Sequence, residues 1–171
     1  MPSDPSSSFS TASLELMAHS HIPMPHSEFE TLSKVELHQL SDEILNQNPL
    51  IIERCVQFVL AETHGLWHGR ARAMMCRRLK HCELGRTHRT ELVACIANRL
   101  SHGNFSEQFK DQLRLAMHLD SEKIMKVSQS CLSSPMHHVQ RYTKWVLSEE
   151  HLKTSSNFTF KRDAAQKRVA P

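Results

Sequence analysis

Signals that start and stop a helix recur along this chain at short intervals, and they leave little room for any other regular structure. "SKVE" (33–36) is a capping box, in which Ser33 can accept from the backbone of Glu36 and Glu36 can reach back to Ser33. It opens a helix that runs to about Gln47, where Asn48-Pro49 ends it, because a residue before proline is pushed out of the helical region. A second helix is expected over about 50–64, stopped by Gly65, and a third over about 69–82, stopped before Gly85. A fourth covers about 88–101, with Thr87 as a cap and Gly103 past its end. Ser106 opens a fifth, to about His118, and Asp120 or Ser121 a sixth, to about Leu132. Ser134-Pro135, a cap followed by a first-turn proline, opens a seventh to about Ser148.

Composition agrees. There are only 4 Gly and 1 Tyr, and the β-branched residues are not abundant, while the good helix formers are plentiful. An apolar content of 39% in 171 residues is enough for one modest core. The fold expected is therefore all-α: about seven short amphipathic helices joined by short connections, packed as antiparallel hairpins. In the second helix Ile51, Ile52, Cys55, Val56, Phe58, Val59 and Leu60 cover half the circumference or more, so it should be central and touched from two sides.

The ends differ from the middle. Residues 1–31 are rich in Ser, Pro and His and hold four acids with no Lys or Arg, so they read as a disordered acidic arm. Residues 32–150 form the helical domain, and residues 151–171 a flexible basic tail with Lys153, Lys161, Arg162, Lys167 and Arg168. No apolar run approaches the roughly 20 residues needed to cross a bilayer, and no basic residue precedes Lys34, unlike a secretory signal. The five Cys are an odd number without a disulfide-framework spacing, so reduced thiols and a cytoplasmic location are expected.

"SPMHHVQRYTKWVLS" (134–148) resembles one helix of a HEAT-like repeat at Pro135, Val139, Arg141, Tyr142, Val146 and Leu147. The hairpin starts near 50, 88 and 121 are about 33 to 38 residues apart, shorter than the repeats of that class, and the other helices carry no clear copy. The resemblance implies a compact α-solenoid with a binding surface and no set chemistry. A plain orthogonal bundle fits the same pattern of helices.

The least ordinary stretch is residues 64–89, "HGLWHGRARAMMCRRLKHCELGRTHR", with seven Arg or Lys, four His and a single acid, Glu83. On a helical wheel Ala71, Met75, Leu79 and Cys82 form the stripe expected to be buried. Arg70, Arg77, Lys80 and His81 fall opposite, and Arg72 and Arg78 flank the stripe with their stems over its edges. A merely solvated face usually mixes signs, since like charges at i,i+4 cost a few tenths of a kcal/mol each. Neutralisation by Glu53, Glu62 or Glu91 of neighbouring helices is the competing account. The functional account is an anion-binding surface. Arg70, Arg77, Lys80 and His81 would contact phosphates of a nucleic-acid backbone, surrounded by Arg72, Arg78, Arg86 and Arg89. "GLWHG" followed by this helix is also loosely a helix-turn-helix. Leu66 and Trp67 are expected to plug the hairpin corner rather than stack on bases.

Signatures of chemistry are sparse. Thirteen His invite a metal, yet there is no C-x-x-C or H-E-x-x-H, and Cys76 and Cys82 diverge on the wheel. No G-x-S-x-G, Walker or dinucleotide fingerprint occurs. Glu62 with His64 and His68 is the best acid–base grouping, dependent on the turn between them. No catalytic residue, cofactor or metal is assigned. The function expected is a non-enzymatic binding module for an anionic partner, nucleic acid first and an acidic protein next, with no membrane role. A helical-repeat scaffold for protein interaction is the alternative.

Overall fold

In a computed structural model, residues 26–105 and 108–149 are described. They are helical, with no strand among them: α1 (His26–Glu30), α2 (Lys34–Glu43), α3 (Pro49–Leu60), α4 (His68–Leu79), α5 (Arg86–His102), α6 (Phe109–Leu119), α7 (Ser121–Ser130) and α8 (137–149). The all-α expectation holds.

Several boundaries are those the local signals demand. The capping box is present at both contacts, Ser33 N to Glu36 Oε2 at 2.8 Å and Glu36 N to Ser33 Oγ at 3.3 Å. A 3₁₀ turn (Ile44–Asn46) tightens the exit of α2, and Gln47 takes the left-handed conformation with φ 54°. Asn48 then caps α3 and Pro49 sits in its first turn. Asp120 caps α7 through Lys123 N. Gly103 ends α5 at φ 70°, a conformation that penalises any Cβ, and Asn104 N returns to Arg99 O.

Other boundaries differ from the sequence expectation: α5 opens at Arg86 with Gly85 at its cap, so Thr87 lies inside it, and α8 opens at 137 rather than at Pro135. α1 lies inside the stretch assigned to a disordered arm, and Phe29 is buried there, edge-on to Phe58 at 5.5 Å. α3 ends at Leu60 rather than near 64, because side chains of other helices take over its last carbonyls. The helix expected over about 69–82 runs from His68 to Leu79, so Lys80, His81 and Cys82 lie at and beyond its C-terminal cap. The expected opening at Ser106, and most of the two arms, lie outside the described residues.

The helices pack in steps. α3 lies against α2, α4 and α5; α4 against α2 and α6; α5 against α6 and α7; and α6 against α7. α8 joins through Tyr142, whose ring meets Phe105 and Phe109 edge-on at 5.1 and 5.6 Å. The core runs through Ile52, Val56, Phe58, Met75, Leu79, Leu92, Ile96, Leu113 and Ile124. α3 is central, as its broad apolar face predicts, and α4 is held on several sides rather than presented as a free rod. That placement decides the fate of the basic helix.

Candidate functional site

α4 keeps one outward line. Arg70, Arg77 and His81 are exposed, with Met74 and Lys80 half-buried, while Ala71, Met75 and Leu79 are buried as the wheel predicts. Arg72, Ala73 and Cys76 are buried too, since α4 has a second packed side against α6.

The eight predicted cations divide into distinct groups. Arg72 is not on the surface: it is 7% exposed and donates through Nη2 to Ala61 O (3.0 Å), Thr63 O (3.4 Å) and Thr63 Oγ1 (2.8 Å). Arg78 turns toward α2, pairing with Asp42 at 2.6 Å and donating to Ser41 Oγ at 2.9 Å. Both leave the candidate interface, because neighbouring segments, the end of α3 for Arg72 and α2 for Arg78, supply acceptors that the wheel of a single helix does not include. Arg89 donates to Leu119 O at the end of α6 (3.1 Å) and, with Arg86 and Lys123, borders a cleft of about 360 Å³. Arg70, Arg86, Lys80 and His81 have no described carboxylate within ion-pair distance.

Arg77 is 59% exposed and reaches Asp111 of α6 at 3.5 Å; Arg114 reaches the same carboxylate at 3.3 Å. Of the acids weighed from sequence, Glu53 faces His88 and Glu62 acts on Arg72, while the ion pairs of Arg78 and Arg77 are with Asp42 and Asp111. Beyond Arg114 the charge continues. Lys110 Nζ lies 5.3 Å and Arg114 Cζ 5.5 Å from the centre of the Trp145 ring, and Arg141 Cζ lies 5.3 Å from that of Tyr142. Lys110, Arg141, Tyr142 and Trp145 line a cleft of about 490 Å³. Sequence reasoning missed this group because its members come from α6 and α8, in stretches where each helix alone shows only ordinary charge.

Trp67 is half-buried at the core edge as expected, yet it also carries Lys34 Nζ at 4.3 Å and Arg70 Cζ at 5.4 Å over its ring. Leu66 does not plug the corner; it is 89% exposed.

The acid–base grouping does not assemble. Glu62 and His64 are exposed, whereas His68 is buried and accepts from Gly65 N at Nδ1 (3.2 Å). Burial, then the Arg72 charge, lowers the affinity of His68 for a proton. Among the described residues no group of three or more His, Cys, Asp or Glu is placed to hold a metal ion. Cys55, Cys76, Cys82, Cys95 and Cys131 are all free thiols; burial pushes Cys55 and Cys76 up to about 12, far from a reactive thiolate. Among the described residues no helix is long and apolar enough to cross a membrane.

Comparison of the chain with protein-family models, curated proteins and solved structures finds no match.

Proposed function

We propose that this domain is a non-enzymatic binding module whose α4–α6–α8 surface takes an anionic partner, a nucleic-acid backbone before an acidic protein. The observation that carries this reading is the sharing of one carboxylate by two guanidinium groups. Asp111 is only 13% exposed, while its partners Arg77 and Arg114 are 59% and 51% exposed. The negative charge is covered and the positive charge faces water, and Lys110 and Arg141 extend it around Trp145 and Tyr142. Arg70 on α4, and Lys80 and His81 at its C-terminal end, continue it. The contacts would be to phosphates, which position a partner without reading its sequence.

The test is a mobility shift with duplex DNA, single-stranded DNA and RNA at two salt concentrations. Affinity should fall by about 0.9 log units per log unit of salt for each phosphate neutralised on duplex. Arg70→Glu, Lys110→Glu and Arg141→Glu together should remove binding. None of the three is in an ion pair among the described residues, so circular dichroism should show the fold retained. A folded triple variant of unchanged affinity, or a wild type that shifts none of the probes, overturns the reading.

The interaction-scaffold reading has its own support. Val35, Leu45 and Leu50 on or beside α2 and α3 are exposed, leaving apolar side chains open to a partner. Apolar docking there would barely respond to salt. The free thiols support a reducing compartment such as the cytoplasm.

A further inference from the structure

A second positive site lies inside the domain, where α3 stops. The guanidinium of Arg99, from α5, donates to Val59 O (2.8 Å), Leu60 O (3.0 Å), Ala61 O (3.1 Å) and Gln112 Oε1 (2.9 Å). Arg72, from α4, donates to the same Ala61 O at 3.0 Å. The two side chains are 5% and 7% exposed, and no described carboxylate is within ion-pair reach of either. Buried charges are ordinarily paired. Here the hydrogen-bonded compensation is the end of one helix, equivalent to about half a negative charge against two positive ones, and Glu62 offsets Arg72 only from beyond ion-pair distance. Arg72 remains incompletely satisfied: its bonds all run through Nη2, and its buried Nε has no acceptor. Burial, and next the charge of Arg99, pull Arg72 down to about 10, so it stays a cation at neutral pH.

A cleft of about 540 Å³ opens beside both arginines. Thr63, His64, Asn104 and Gln112 add neutral polar groups to its wall, and Glu62 is the acid among its lining residues. We infer that this cleft binds a small oxyanion of the phosphate class, drawn by the net positive charge of Arg72 and Arg99 and bordered by Thr63 and Asn104. The attraction is one of charge rather than of an open donor fork, since both Nη groups of Arg99 and Nη2 of Arg72 already serve protein acceptors. The site is separate from the α4–α6–α8 surface, since Arg72 faces away from the outward line of Arg70 and Arg77.

The experiment titrates inorganic phosphate into the full chain by calorimetry, with chloride at equal ionic strength as reference, and follows the melting temperature alongside. Wild type should show saturable one-site binding at millimolar phosphate or below and a raised melting temperature. Variants of the two arginines would disturb the fold, so the lining is changed instead. Asn104→Asp should weaken binding about tenfold, the order expected for one added unit charge across a partly wet cleft. Glu62→Gln should tighten it. The surface triple variant Arg70→Glu, Lys110→Glu, Arg141→Glu should bind phosphate as wild type does, whether or not the nucleic-acid reading survives. Absence of saturable binding, indifference to both cleft variants, or loss of binding in the surface variant overturns the inference.

Discussion

Replacing Arg99 by Met keeps the length and apolar stem of the side chain and removes its guanidinium, so it isolates what that group contributes. Four acceptors lose a donor: the carbonyls of Val59, Leu60 and Ala61 and the amide oxygen of Gln112. Ala61 O keeps Arg72, and the cleft beside Arg99 admits water to part of what remains. About two acceptors are then left buried and unpaired, at roughly 1–3 kcal/mol each. Relief of a buried, carboxylate-free cation offsets part of this, as does relief of its repulsion with Arg72. The expected net loss is about 3 kcal/mol, a large share of the roughly 5–15 kcal/mol that holds a domain of this kind together. Urea unfolding followed by circular dichroism measures it as a fall in midpoint at unchanged slope. Arg99→Lys, which can place one donor group where the guanidinium serves four acceptors, should lose nearly as much. A Met variant within about 0.5 kcal/mol of wild type, the range of an ordinary surface substitution, would refute the argument that this guanidinium terminates α3.

Two further expectations concern single positions. Gly103→Ala places a Cβ on a left-handed residue at φ 70°, about 2.7 Å from His138 Nε2 and 2.8 Å from Met136 Sδ; it should cost about 1–2 kcal/mol, and a thermal melt unchanged from wild type would contradict that. His68 binds a proton less readily in the folded chain than the ordinary histidine value of 6.5, so the unfolded chain takes up the proton first. Its contribution to stability is full above that value and is lost as pH falls from there to the folded value. An imidazole resonance of His68 that titrates at or above the ordinary value would overturn this, as would denaturant midpoints whose decline below neutral pH is the same in wild type and His68→Gln.

What the chain order alone determined is what short-range physics controls. Ser33 with Glu36, Asn48 before Pro49, Asp120 and Gly103 act within a few residues of themselves, and their helix ends fall where such caps must place them. The broad apolar face of α3 likewise implied a central helix, because so much apolar surface has to be covered from more than one side. The destination of each charge was decided elsewhere. Arg70 and Arg72 are both arginines on one helix; one faces water and the other is buried at the end of α3, and that difference depends on Thr63 and the carbonyl of Ala61 arriving from another segment. Arg78 and Arg77 were separated in the same way by Asp42 and Asp111, far from them in sequence. A wheel describes the directions in which side chains leave a helix. Whether an exposed cation remains free depends on what packs beside it, and the energies that set this act over a few ångströms in space between residues about 35 positions apart in the chain.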